Sequence, residues 1–386
     1  MLILITTLFA SIAAFLTATP CRGDSRMPSE IRAMWVARWD ITSPEACRTL
    51  VKLSKDYGFN VLFVQVRGRG DALYKSNYEP RSELLDGQRE DFDPLGLILE
   101  EGHKAGLQIH AWINANFTWG AAELPKSPDH IVNKHPDWLM RTNENVVNMS
   151  GGDDVEGAYT CPSSDEFREH LKNVYLDVTT KYNVDGVHFD FIRYPSPRFC
   201  YCDRCLEKFR AEMEPKLSPE ERIAVANLPE RNAYTFAFPK AWDEFRRTQI
   251  NRLVYTIYDA VKKVKPNLVV SAAVFPSFTD AYNNRFQDWK RWMRDRKIDL
   301  LCPMAYSKST DTFVQDIKDA VESSNGVPVC AGIGSWQISA ESTVEKIKEA
   351  RKLGAVGFCL FSYSITDGGK KTGYLEAVRN GAPPLR

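Results

Sequence analysis

The sequence lacks any bias of charge: lysine plus arginine equals aspartate plus glutamate, at 50 each in 386 residues. With a pI of about 7.0 and no basic stripe, nucleic acid is not an expected partner. Histidine is scarce, at six, and no His-x-His or comparably dense ligand motif occurs. A metal-dependent hydrolase would have to assemble its centre from scattered residues such as His110, His188 and Asp190, which the pattern supports poorly. Internal repeats of short period and flexible linkers are also absent. Beyond the N-terminus no apolar run is long enough to cross a bilayer, so the mature domain is expected to have no membrane span. Nothing in the sequence sets the oligomeric state.

What is present begins with an apolar run from Met1 to about Thr19, followed by Pro20 and the charged segment 22–32. Residues 1–22 read as a secretory signal peptide, although the run is not preceded by Lys or Arg. An N-terminal anchor is the alternative. Cys21 follows Ala18-Thr19-Pro20, a poor lipobox. The expectation is an exported protein of the periplasm, cell envelope or extracellular space.

Residues 28–386 alternate strand and helix signals. Strands are expected at 33–39, 60–66 and 108–113, within 185–195, and at 268–274, 298–304, 327–331 and 356–361. Helices are expected at 44–57, 95–105, 241–264 and 283–296. Another should open at the capping box Ser163-Ser-Asp-Glu166. Eight strands in strict alternation predict the α/β class and a single (β/α)8 TIM barrel, with a doubly wound sheet as the alternative. Apolar residues make up 44% of the chain, ample for such a core. Two long loops, 115–162 and 196–239, follow strands three and four. Loops of that size are functional or carry small elements of their own.

The organising stretch is Asp185-Gly-Val-His-Phe-Asp-Phe-Ile-Arg-Tyr-Pro195. Alternation puts His188 and Asp190 on one face of strand four, with Val187, Phe189 and Phe191 on the other. Asp190 thus lies at the C-terminal end of a barrel strand, where TIM-barrel sites are built, with Arg193 just beyond. A buried aspartate satisfied by Arg193 and backbone amides is the structural alternative. Other polar and aromatic residues fall at the same level. Gln65 and Arg67 share a face at the end of strand two, with Asp71 beyond. His110, Trp112 and Asn114 alternate on strand three, and Tyr306 and Trp336 follow strands six and seven. Singly, each suits a packing role, and their convergence makes a substrate-binding cleft. Trp39, Trp112, Trp119, Trp336 and Tyr306 could stack on sugar rings.

The organising stretch resembles the signature of the glycosyl hydrolase-like 10 family of TIM-barrel proteins. Gln65-Val-Arg-Gly-Arg-Gly-Asp-Ala-Leu-Tyr74, Asp93-Pro-Leu-Gly96 and His110-Ala-Trp-Ile-Asn114 match the same family, and the resemblance runs from about Ile31 to about Phe361. It implies an exported glycoside hydrolase acting on a polysaccharide or a peptidoglycan-type glycan. Asp190 would be the nucleophile or base and a second carboxylate the acid. Asp280, after strand five, is the preferred second carboxylate. Asp71 follows, and Asp40, Glu79 and Asp367 are weaker. Many relatives carry a second acid where this chain has Phe191, and a glycan-binding barrel without catalysis is the rival reading. No cofactor is required for catalysis. Cys200-Tyr-Cys-Asp-Arg-Cys205, with Cys161 as a fourth thiol, suits either a structural metal or disulfides. Cys47, Cys302, Cys330 and Cys359 read as core residues.

Overall fold

The computed structural model describes residues 27–152, 155–228, 230–365, 371 and 373–385. The expected signal peptide and Asp367 lie outside the described residues. Eight parallel strands are present: β1 (Ile31–Val36), β2 (Val61–Arg67), β3 (Gln108–Asn114), β4 (Gly186–Asp190), β5 (Val269–Val274), β6 (Leu300–Pro303), β7 (Cys330–Gly334) and β8 (Gly357–Phe361). They pair in the order β6-β5-β4-β3-β2-β1-β8-β7. A parallel bridge from Leu301 to Val329 joins the two ends. The expected TIM barrel is the observed fold.

Local sequence explains the alternation. Ser43 and Asp93 cap the helices Pro44–Asp56 and Pro94–Lys104, and each helix starts with proline, whose missing N–H costs nothing there. Apolar residues divide into two cores. Met34, Val64, Ile109, Val187 and Val270 face the helix layer, while Ala33, Trp35, Phe63, Trp112 and Cys302 fill the barrel. Among the described residues no helix is long and apolar enough to cross a membrane.

Three expectations need correction. The helix opening near Ser163 is capped by Ser164, which accepts from the N–H of Phe167, and Glu166 bonds that hydroxyl rather than closing a capping box. The single helix expected over 283–296 is two short ones, Phe278–Asn284 and Trp289–Arg294, interrupted at Phe286 with φ of 53°. Strand seven begins later than expected because Pro328 has no N–H to give a ladder.

Both long loops carry structure. The first holds a two-stranded ribbon, Phe117–Trp119 against Ala158–Tyr159, and the second holds the helices Asp203–Met213 and Pro219–Ala226. They rise beside the ends of β3 and β4. The amide of Ala115 donates to the Asp190 carbonyl and that of Asn116 to the Phe191 carbonyl, so the two chains stay paired past the barrel rim.

Candidate active site

A cavity of about 300 Å³ opens at the C-terminal ends of the strands. Asp190, Arg193, Trp112, Asn114 and Tyr306 line it, together with Trp35, Trp39, Gln65, Phe117, Phe191 and Phe361 among others. Among the described residues Asp190 is the one carboxylate in that lining. A larger cavity, about 450 Å³, lies at the opposite end, beside Ile298, Asp299 and Val327 ahead of β6 and β7. Barrel chemistry is not built at that end.

Asp190 is 5% exposed. One oxygen accepts from the Phe191 amide at 2.6 Å and lies 3.6 Å from Arg193. Burial pushes its carboxyl up to about 6, against the opposing pull of Arg193 and that amide. Phe191 itself turns through φ of 49°, a left-handed conformation that an aromatic residue rarely adopts. Its ring is held by Phe117 at 5.0 Å and by the Arg193 guanidinium at 4.1 Å. Strain at the residue after the carboxylate is of the kind that collects at functional sites.

Arg193 reaches a second carboxylate, Glu156, at 3.1 Å. The Tyr159 hydroxyl donates to the other Glu156 oxygen at 2.6 Å. Partial burial would raise the Glu156 carboxyl, but Arg193 and Tyr159 outweigh it and hold the group below its ordinary value. Two acids therefore share one guanidinium and are driven apart, one towards the protonated form and one towards the ionised form. Glu156 sits in the first long loop, where no periodicity marks it in the sequence. At the end of β1, Asp40 stands next to Trp39. Burial raises it too, to about 6, against bonds from Ser364 and the Ala37 amide.

The remaining expected site residues divide clearly. Trp112 donates its indole N–H to Asn114 at 2.8 Å, and Asn114 donates to the Gly68 carbonyl at 2.9 Å, fixing both in the cavity wall. Trp336 lies outside the lining and backs it, 5.1 Å from the Tyr306 ring and 5.6 Å from that of Phe361. Asp280 is not in the cavity. It rides on Phe278–Asn284, accepts from Asn284 at 2.7 Å and faces Arg285 at 3.7 Å. Asp71 is a buried loop tie that accepts from Ser82 at 2.5 Å and from the Arg69 amide at 3.0 Å.

Arg67 does not share a face with Gln65. A bulge falls between Gln65 and Arg67, which breaks the alternation and turns Arg67 away from the cavity. Its guanidinium instead meets Glu79 at 2.7 Å with both side chains fully buried, and His170 stands 3.3 Å from the same carboxylate. Burial alone would raise Glu79, but Arg67 and His170 hold it at about 2. A depressed carboxyl contributes stability that is present above its unfolded value and lost as pH falls towards the folded one. Glu79→Gln should destabilise the fold by about 3–5 kcal/mol in chemical denaturation, because Arg67 is left buried and unpaired. It should also flatten the acid limb of stability between about pH 4.5 and 2. An unchanged unfolding midpoint would remove this pair from the structural account.

His188 shares the Asp190 face, as alternation requires, but two residues deeper and outside the lining. Trp35 donates to its Nε2 at 3.0 Å, so Nδ1 carries the proton and donates to Ser271 at 2.8 Å. Burial drives its basicity well down and keeps it neutral. His110 lies beside it, lowered to about 4 by burial, and a Cβ at Gly186 would run into its ring. His188→Gln is accordingly expected to lower the melting temperature and leave turnover per folded molecule unchanged. A normal melting temperature with reduced turnover would contradict this.

A buried carboxyl over an aromatic cavity at the rim of a parallel barrel defines a TIM-barrel protein of the glycosidase-like class. Comparison with known proteins gives the same class. The glycoside hydrolase domain of PgaB (BpsB) from Bordetella bronchiseptica superposes with a TM-score of 0.68, covering 93% of this chain and 100% of that one at 12% identity. The catalytic domain of a beta-amylase from Paenibacillus polymyxa gives 0.65, covering 91% and 98% at 13% identity. These likenesses speak for the fold. The glycosyl hydrolase-like 10 family matches residues 30–346, and the chain belongs to that family. "Glycosyl hydrolase YngK" of Bacillus subtilis is 27% identical over 330 residues, 76% of this chain and 58% of its own length. "Glycosyl hydrolase DigH" of Escherichia coli is 25% identical over 276 residues, 64% and 55% respectively. The chain thus spans just over half the length of these relatives.

Proposed function

We propose that this protein hydrolyses glycosidic bonds in a polysaccharide or peptidoglycan-type glycan, with Asp190 holding the catalytic proton and Glu156 as its ionised partner. The observation that carries the reading is the pair itself: Asp190, buried in the wall of the rim cavity, and Glu156 lie 3.6 Å and 3.1 Å from the same Arg193 guanidinium, with burial favouring the protonated form of the first and Arg193 the ionised form of the second. Glycoside hydrolysis needs one carboxyl protonated to release the leaving group and another ionised to activate water or attack carbon. Asp190 then delivers its proton to the glycosidic oxygen as the bond to the anomeric carbon breaks. Glu156 takes a proton from the incoming water, and exchange with solvent resets both groups. This reverses the role expected for Asp190 from the family resemblance, because burial favours its neutral form. Trp112, Tyr306 and Trp39 offer flat apolar faces for sugar rings. The relatives' names support the reaction class, and the apolar leader in the first 22 residues supports an exported protein.

The test is to incubate the purified chain with peptidoglycan glycan strands and a panel of polysaccharides and to analyse products by mass spectrometry. New reducing ends from the wild type, and at least about a hundredfold fewer from Asp190→Asn, are expected. A second reading, a barrel that binds glycan without cleaving it, is favoured by Asp190 being the one carboxylate in the cavity lining among the described residues. Saturable glycan binding with no product from any substrate would select it.

A further inference from the structure

Cys161 closes the first long loop, and Cys200, Cys202 and Cys205 lie in the second. The fold brings all four sulfurs within 4.8 Å of one another, and all four side chains are buried. Cys161 Sγ lies 3.3 Å from that of Cys205 and 3.8 Å from that of Cys202. We propose that these four cysteines bind one zinc ion as a tetrathiolate that ties the two cleft-walling loops together.

The distances favour a metal over disulfides. A disulfide needs its sulfurs about 2.05 Å apart. Four ligands at about 2.3 Å around a tetrahedral ion are expected to stand somewhat under 4 Å from each other. The observed spacings scatter around the second value. Sulfur ligation in a closed, buried, four-thiol set selects zinc among ions without redox chemistry, and leaves no open position for substrate. Each thiol gives up its proton on binding, so the filled site carries net negative charge. Its surroundings suit that charge. Cys202 is the N-cap of the helix Asp203–Met213, whose positive end therefore meets the sulfurs, and the Cys202 amide points at Cys200 Sγ from 3.5 Å. Arg204, in the first turn of that helix, is anchored by Asp137 at 3.1 Å.

The position gives the ion a use. Cys161 comes two residues after Tyr159, whose hydroxyl holds Glu156, and Cys200 lies in the other loop, which begins just after Arg193. One ion would fix both halves of the Glu156–Arg193 contact from behind without touching substrate. It would also protect four thiols from oxidation outside the cytoplasm.

The experiment is metal analysis of the purified full chain by plasma mass spectrometry, with intact mass measured under non-reducing conditions. One zinc per chain and no disulfide among the four are expected. Removal with a strong chelator should lower the melting temperature by on the order of 10 °C. Cobalt added to the stripped protein should show thiolate-to-metal charge-transfer bands. The variant Cys202→Ser/Cys205→Ser should lose the zinc; if it does not fold, the wild-type metal content and the cobalt spectrum still decide. Two disulfides, four free thiols without metal, or iron in place of zinc would each overturn the proposal, whether or not any glycan is cleaved.

Discussion

Asp190→Asn should lose about 10²–10⁴-fold in turnover, the range over which a positioned general acid contributes, while the folded protein becomes more stable at alkaline pH. Both effects come from the same burial. A carboxyl raised from its ordinary 3.8 to about 6 is ionised at pH 8 in folded and unfolded chains alike, but only the folded chain bears the cost of burying the charge. A pKa raised by folding contributes stability that is fully present below the unfolded value and lost as pH rises through the folded one. The asparagine has no charge to bury. Its advantage should therefore be on the order of 2–3 kcal/mol above about pH 6 and should vanish below about pH 4. Turnover and urea unfolding of both proteins across that range check this. An asparagine variant that unfolds more easily at pH 8, or one that retains full turnover, would show that Asp190 is held for packing.

Glu156→Gln is the second large effect, again about 10²–10⁴-fold in turnover, with the fold intact because Glu156 stands half-exposed on a loop. It also carries a signature that a merely structural role would lack. Glu156 is one of the charges that raise Asp190, and it occupies the guanidinium that lowers it. Once neutralised, it repels Asp190 less and releases Arg193 towards it. The alkaline limb of the pH–rate profile should therefore move to lower pH in Glu156→Gln. Turnover reduced with the limb unmoved would leave Glu156 as a loop tether only.

The sequence made the barrel legible because its strands are apolar, short and separated by capped helices. It made part of the site legible for the same reason: alternation on β3 delivers Trp112 and Asn114 to the cavity, and strand-end position delivers Asp190 and Tyr306. Where the structure places other expected residues outside the cavity, the causes are local. Alternation fixes a face but not a depth, so His188 and His110 fall in the layer beneath the site. The bulge after Gln65 flips Arg67 outwards, where it pairs with Glu79. Asp280 follows the right strand, but a short helix carries it to the surface and into contact with Arg285. Glu156 lies in a loop that only the fold returns to Asp190. Spacing did bring the three clustered cysteines together with Cys161, since a fourth thiol at the end of the facing loop was in reach.

The most direct test of the central claim is infrared difference spectroscopy of the Asp190 carboxyl, comparing wild type with Asp190→Asn through a pH titration. A protonated-carboxyl band is expected, present at pH 5 in the wild type and missing from the variant, that disappears with a midpoint of about 6. A band that titrates near the ordinary aspartate value of 3.8, or no band assignable to Asp190 at pH 5, would contradict it.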